Sequence, residues 1–305
     1  MFAKPVGEIC RRHGMSYHSY ADDTQVYQVI KPLGDWSDLS NRLENCLSDI
    51  SAWMSINMLK LNQDKTELIV FAPKQQLKQL SSFQLTFDGT ILTDASCVKN
   101  LGFYFDKTLS MEQQASATTK ACFHHIRNIG RIRSLITDEA CKTLVCSLVT
   151  SRLDYGNALL YGTNSCVITK LQRVQNTAAR LITRKRKYDS ITPVLISLHW
   201  LPVHFRCQYK LLLYIFKAIH GTAPSYLQEL VEHYKPGRAL RSEKSMLLRL
   251  PNDVRTKRYG ERRFDIAAPT LWNSLPSSLR NEQSLDVFKK DLKTYFFRSA
   301  FIDFL

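Results

Sequence analysis

"SYADDTQVY", Ser19 to Tyr27, sets two adjacent carboxylates, Asp22 and Asp23, between two short runs of strand-forming residues. Tyr20-Ala21 leads into the pair and Gln25 to Ile30 leaves it, a pattern that reads as a β-hairpin with the aspartates at its turn. Like charges placed side by side repel, and the arrangement costs stability unless something compensates. Asp is a common turn residue, so a bare Asp-Asp dipeptide is by default a polar turn. A divalent cation offers another compensation, because Mg²⁺ takes hard oxygen ligands and keeps waters for substrate phosphates. In two-metal phosphoryl transfer one ion helps form the attacking hydroxyl nucleophile and the other steadies the leaving group. Adjacent aspartates serve that chemistry with help from another carboxylate on a neighbouring strand.

Outward from the hairpin, the first third of the chain alternates in type. Glu8 to His13 reads as the end of a helix. "DWSDLSNRLENCLSDISAWMSINMLKL" spaces Leu39, Leu43, Leu47, Ile50 and Met54 by three and four, the period of an amphipathic helix. Thr66 to Ala72 ("TELIVFA") and Val98 to Asp106 ("VKNLGFYFD") read as strands, and "QLTFDGTIL" as a hairpin with Asp88-Gly89 in its turn. One helix on a small, largely antiparallel sheet is the expected arrangement.

Beyond Ser110 the pattern is mostly helical. Thr137-Asp138-Glu139 has the form of an N-cap with an acidic first turn. Ile168, Leu171, Val174, Ala178 and Ile182 form one stripe, and the helix that carries them ends at Arg184-Lys185-Arg186-Lys187. Pro202 suits the first turn of a helix whose body, "YKLLLYIFKAI", is apolar almost all round and so predicted to be buried. Residues 233–262 read as a basic, loop-rich connection. A last helix from Ser284 spaces Leu285, Phe288, Leu292 and Phe296 by three and four.

Charge divides the chain as well. Residues 1–110 hold 11 Lys and Arg against 12 Asp and Glu, whereas residues 111–305 hold 31 against 15, so the formal net charge of +15 arises wholly in the later part. Clustered cations of that kind suit a polyanionic partner, which they bind by releasing its counterions; a well-solvated basic surface is the simpler alternative. The eight cysteines contain no C-x-x-C pair, which argues against a zinc ribbon or a disulfide scaffold. With no run of eighteen apolar residues and no secretory leader in "MFAKPVGEICRRHG", an intracellular soluble protein without a membrane partner is expected.

Taken together the motifs resemble the reverse transcriptases of non-LTR, LINE-type retrotransposons. "YADD" between two strands resembles their third palm motif, "LKLNQDKTELIVF" (Leu59 to Phe71) the palm segment that follows, and "VKNLGFYFD" the hairpin that grips the primer end. "LQRVQNTAARLI", "LHWLPVHFRCQYKLLLYIFKAIHGTAPSYL", "AAPTLWNSLPSSLR" and "FKKDLKTYFF" are similar to the thumb and post-thumb region, so the resemblance covers nearly the whole chain. It implies an α+β fold: a partial palm over residues 1–109, a helical thumb over 110–190, and a helical, basic extension over 191–305. It implies RNA-directed DNA polymerisation with Mg²⁺ as cofactor. RNA template, DNA primer and deoxynucleoside triphosphates would be the partners, and an intact element would act in the nucleus and cytoplasm.

Site residues follow from the same resemblance. Asp22 would ligate the catalytic metal, with Asp23 a second ligand or an electrostatic support. Tyr20 would lie by the primer and incoming nucleotide, Lys65 by the departing pyrophosphate, and Leu101 and Gly102 at the primer-grip turn. Lys65 reads equally as a solvated lysine in a helix-to-strand loop. Arg184, Lys185, Arg186 and Lys187 would contact the phosphates of the template–primer duplex.

In the family another catalytic aspartate strand and the nucleotide-holding fingers precede the motif. Met1 lies only about twenty residues before it, so both are expected to be absent, unless an upstream part of the same polyprotein supplies them, and the isolated chain is expected to be inactive. The alternatives are a non-catalytic nucleic-acid-binding remnant of a decayed element, or a decayed reading frame that makes no functional protein. Lesser candidates have plainer readings. Cys122, His124 and His125 in "CFHH" read as core plus surface, His199 and Trp200 as a hydrogen-bonded or capping histidine beside a packed aromatic, and "YGERRF" (Tyr259 to Phe264) as either a stacking surface or ordinary packing.

Overall fold

The period-two pleat and the 3.6-residue helical repeat account for most of the chain in the computed structural model, which describes residues 3–30, 36–78, 83–234, 246–251 and 259–302. The fold is mixed α+β and divides into two compact units, Met1–Gln113 and Gln114–Leu305.

In the first unit, α1 (Ala3–Arg12) leads through a left-handed Gly14 into β1 (Ser16–Tyr20) and β2 (Asp23–Tyr27), an antiparallel pair in which Tyr17 faces Val26 and Tyr20 faces Asp23. The long helix α2 (Ser37–Ile56) follows. Val6, Ile9 and Cys10 of α1 pack with Leu39, Cys46 and Ile50 of α2, and Tyr17 and Val26 close the cluster from the hairpin. His13 at the end of α1 meets Asp49 of α2 at 2.8 Å. On its other side α2 borders a second cluster of Val70, Phe83 and Leu85, with Leu43 shared between the two.

A 3₁₀ turn (Gln63–Lys65) and the short α3 (Lys74–Leu77) precede β3 (Gln84–Phe87), β4 (Thr90–Thr93), β5 (Cys97–Asn100) and β6 (Phe103–Asp106). Three expectations are corrected here. Among the described residues there is no single small sheet but three separate two-stranded hairpins, β1–β2, β3–β4 and β5–β6. Thr66–Ala72 is not a strand. It runs extended and makes one bridge, Leu68 to Asp94, with its Val70 N–H donating to Asp94 Oδ1 (2.9 Å) and its Ala72 N–H to the Lys107 carbonyl (3.1 Å). Its Leu68, Val70 and Ala72 cluster with Leu43 of α2 and with Leu85 and Leu92 of the β3–β4 hairpin, so strand-like composition here reflects burial rather than ladder pairing. Val98 to Asp106, read from its pattern as one strand, is folded back at Leu101-Gly102 as the β5–β6 hairpin. Asp88-Gly89 forms the expected two-residue turn, with positive φ at both residues.

The second unit is helical throughout its named elements. α4 (Glu112–Arg131), α5 (Asp138–Val145), α6 (Ser151–Asp154), α7 (Ser165–Thr183) and α8 (Thr192–Ser197) lead to the central α9 (Val203–Ile219). Thr137 caps α5 as expected, its hydroxyl accepting from Ala140 N–H. A π-helical stretch, Cys146–Thr150, joins α5 to α6. Pro202 stands at the N-cap of α9, one position before the expected first turn. After α10 (Ser225–Gln228) come α11 (Phe264–Asn273), α12 (Ser277–Arg280) and α13 (Leu285–Ala300). Of residues 233–262, read as a basic connection, 235–245 and 252–258 lie outside the described residues. No helix among the described residues is long and apolar enough to cross a membrane.

The main core of this unit lies where α9, α11 and α13 meet. Phe288 is fully buried, stacked on Phe216 with centroids 4.5 Å apart and tilted against Trp272 at 5.8 Å. Trp272 satisfies its indole N–H on the Met246 carbonyl at 2.7 Å. α7 is tied to this core by amides that the apolar stripe did not reveal. Buried Gln175 donates to the Leu201 carbonyl (2.9 Å), and Gln172 accepts from Val203 N–H (2.8 Å), capping α9. Removing the ring that α9 and α11 share leaves a cavity, so Phe288→Ala is expected to lower stability by about 3–5 kcal/mol, measured by urea denaturation; a loss under about 1 kcal/mol would refute a core centred there.

Candidate functional site

The period-two rule decides what the first hairpin displays. Tyr17, Val26, Ser19 and Thr24 share one face, with a hydroxyl contact of 3.1 Å between Ser19 and Thr24. Tyr20 and Asp23, with His18, Gln25 and Tyr27, fall on the other, which is exposed. Asp22 sits in the two-residue turn after Ala21, which takes φ +54°. The structure therefore brings Tyr20, Asp22 and Asp23 together at one exposed tip. Those carboxylates supply the hard oxygens that Mg²⁺ prefers. Among the described residues no three His, Cys, Asp or Glu side chains form a group that could hold a metal ion, so the pair fits Mg²⁺ as part of a site only.

Lys65 closes the 3₁₀ turn, its N–H on the Asn62 side chain at 3.3 Å, and its exposed side chain makes no ion pair among the described residues. Gln63 anchors that turn to Asp88 at 2.9 Å. Leu101 and Gly102 form the β5–β6 turn with φ +45° and +80°. The aspartates, Lys65 and the Leu101-Gly102 turn thus belong to three separate local structures. Positive φ at a non-glycine residue also occurs at Met58, Leu109 and Met111 in this unit, so the strain does not by itself mark Ala21 or Leu101.

Sequence reasoning missed Asp106, the last residue of β6. Its carboxylate accepts from Thr108 N–H (3.1 Å) and hydroxyl (2.7 Å), Ser110 N–H (2.9 Å) and hydroxyl (3.0 Å), and Met111 N–H (2.9 Å). Partial burial pushes its pKa up, but the donors from Ser110, Thr108 and Met111 outweigh burial and hold it below the usual carboxylate range. The signal was present as Asp-x-Thr-x-Ser, a side-chain-capped turn.

In the second unit Arg184 to Lys187 are all exposed at the end of α7. Arg184 takes the left-handed C-cap conformation and lies 3.6 Å from Asp138. Arg186 N–H binds Asp189 at 2.7 Å, and the Lys187 ammonium lies 5.7 Å from the Tyr188 ring centroid. Cations at a helix C-terminus also complement its dipole, so part of this run serves the helix itself. Arg133, another residue the sequence did not single out, is buried: its guanidinium donates to the carbonyls of Leu181 (2.8 Å) and Ile182 (2.7 Å) and pairs with Asp138. The hydrogen bond from Arg133 holds the Asp138 carboxyl below its ordinary value.

The lesser candidates take their plainer roles. Cys122 is buried and its thiol reaches the Val149 carbonyl at 3.8 Å, while His124 is exposed and bonded to Asn128. Trp200 is buried. His199 ends α8 through its left-handed backbone, its N–H on the Ile196 carbonyl, rather than through its ring. In "YGERRF", Arg262 packs on Gly162 and Arg263 pairs with Asp265, which is ordinary packing. Comparison with family models, with curated proteins and with solved structures returns no match.

Two measurements follow. A carboxylate whose folded pKa is depressed contributes stability above the unfolded value of about 4 and loses it as pH falls through the lower folded value. Asp106→Asn is therefore expected to cost about 2 kcal/mol at neutral pH and to flatten the acid limb of the unfolding curve; an unchanged acid limb counts against the assignment. Ala21→Gly relieves a left-handed alanine and is expected to raise the stability of the first unit by about 0.5–1 kcal/mol, read from its urea midpoint.

Proposed function

We propose that this chain is the C-terminal part of an RNA-directed DNA polymerase of the non-LTR retrotransposon type, with a partial palm before about residue 110 and a thumb and basic extension after it. The observation that carries the reading is the exposed hairpin tip, where Tyr20 stands opposite Asp23 and next to the Asp22 turn on a face that helices α1 and α2 leave free. A polymerase needs carboxylates reachable by a primer terminus, and an exposed turn supplies that. The separate β5–β6 hairpin, held at its base by Asp106, supports the primer-grip role of Leu101 and Gly102.

In this reading Mg²⁺, when bound, would neutralise charge on the phosphates, and Asp22 with Asp23 would hold it together with a carboxylate from outside the described residues. Lys65, exposed on its 3₁₀ turn, would meet the leaving pyrophosphate. Template RNA, DNA primer and deoxynucleoside triphosphates are the proposed partners. The charge asymmetry supports a second reading, a non-catalytic nucleic-acid-binding remnant that uses residues beyond Ser110.

Primer extension on an RNA template separates the two. The purified 305-residue chain is expected to show none, and addition of the in-frame upstream coding segment, read from the transcript's 5′ end, is expected to restore Mg²⁺-dependent extension. Asp22→Ala should then reduce the restored rate by at least about 10³-fold. Absence of extension with the upstream segment present, or extension indifferent to Asp22→Ala, defeats the polymerase reading and leaves the binding one.

A further inference from the structure

The packing of α9, α13 and the end of α11 leaves a cleft of about 200 Å³. Residues four apart on a helix share a face, so Gln208 with Leu212 on α9 and Tyr295 with Ser299 on α13 form two of its sides, and Ser274 and Leu275, just past α11, form another. Leu212, Leu275 and Phe296 are buried, whereas Ser274 and Ser299 are exposed, so the cleft runs from an apolar floor to a polar rim. Three aromatic rings stand along it. The Phe205 and Phe296 centroids are 5.2 Å apart, and those of Tyr295 and Phe296 5.6 Å.

The polar groups of the cleft are neutral. The Gln208 amide and the Tyr295 hydroxyl make no hydrogen bond among the described residues. Ser274 and Ser299 donate their hydroxyl protons to the carbonyls of Leu271 (2.7 Å) and Tyr295 (2.9 Å), and so face a ligand as acceptors. Among the described residues no charged side chain lines the cleft, which disfavours a phosphate, carboxylate or ammonium inside it. Its size lies below the ~300 Å³ of ordinary ligand pockets, which suits one ring system rather than a whole nucleotide. A carboxamide presents a donor and an acceptor side by side, and the edge of a nucleobase presents the complementary pair. The side chains of Phe, Tyr and Trp have no such edge. Unpaired bases are held in this manner, by aromatic stacking and hydrogen bonds to their edges.

We propose that the cleft between α9, α11 and α13 holds a single unpaired nucleobase, enclosed by the rings of Phe205, Tyr295 and Phe296 with its polar edge on Gln208. The proposal rests on the reading of residues beyond Ser110 as a nucleic-acid contact, and adds to it a site for a base rather than for a phosphate. Arg298 precedes Ser299 on α13, is exposed and makes no ion pair among the described residues, which sets a cation beside the cleft for the phosphates of a strand.

The test compares two short RNA strands of one length, one abasic throughout and one carrying a single adenine, in binding titrations with the full chain. Both present the same phosphates, so the difference isolates the base. The one-adenine strand is expected to bind at least about 5-fold more tightly, with an unchanged salt slope. Ser299→Trp places a large ring at an exposed rim position to fill the cleft and should remove the preference. Gln208→Leu keeps the volume, removes the amide and should lower the preference by about 2-fold or more. Circular dichroism and the urea midpoint check the fold, and Gln208→Leu carries the test if Ser299→Trp does not fold. Equal or absent binding of the two strands, or a preference that both variants keep, overturns the cleft assignment; failure to bind an RNA–DNA hybrid as well overturns the nucleic-acid reading with it. Free adenosine that competes as well as the one-adenine strand identifies a nucleoside as the source of the base, and weaker competition identifies a strand. N-acetyltryptophanamide competing better than adenosine overturns the proposal in favour of a protein side chain.

Discussion

The burial of one cross-strand pair, Tyr17 and Val26, governs what the first unit can do. Both pack into the cluster formed by α1 and α2, and Gly7 makes that possible: a Cβ there would stand 2.2 Å from the tip of the Tyr17 ring. Once that pair faces inward, the pleat sends Tyr20, Asp23 and Tyr27 outward, and a slip of one residue would bury the carboxylate and expose the core residues instead. Register is therefore fixed by hydrophobic burial several residues away from the charges it displays. The chemistry at the tip is a consequence of packing at the base.

The second and third hairpins are held differently. Asp88 at the β3–β4 turn receives Gln63, which positions the Lys65 turn, and Asp106 at the foot of β6 gathers donors from the segment that leads into α4. Both aspartates act on backbone geometry through accepted hydrogen bonds. Asp22 and Asp23 differ in standing on a free face, and for that reason they remain available to a cation.

Much of this was legible in the residues because it was local. The Asp88-Gly89 turn, the Thr137 cap and the stripe of α7 each depend on neighbours within a few positions. Three features were not local and were misread or missed. Thr66–Ala72 has strand composition but makes only the single bridge Leu68 to Asp94 among the described residues, because its apolar side chains are buried between α2 and the β3–β4 hairpin without joining the ladder. Gln175 falls within the apolar stripe of α7 and Gln172 at its edge, and only the fold shows that they carry the hydrogen bonds that join α7 to the start of α9. Arg133 reads as one cation among many, and only the fold shows that the carbonyls at the end of α7 surround it. Of the candidate site, the hairpin was visible in the residues but its turn was placed one residue late: the turn is Ala21-Asp22, and Asp23 begins β2 opposite Tyr20.

The same physical logic connects the two surfaces proposed to be functional. Folding places like charges together at the hairpin tip and at the end of α7: two carboxylates without an ion pair among the described residues, and the exposed run Arg184 to Lys187, of which Arg184 lies 3.6 Å from Asp138. Elsewhere the chain shows that it can neutralise such groups, as Asp94 is met by Lys107 at 2.5 Å and Asp154 by Arg206. An exposed pair of charges costs little in water but gains little either; Asp suits a turn and cations suit a helix C-terminus, so the fold itself accounts for part of this placement. A divalent cation in the first case and a phosphate backbone in the second would each remove the repulsion that remains.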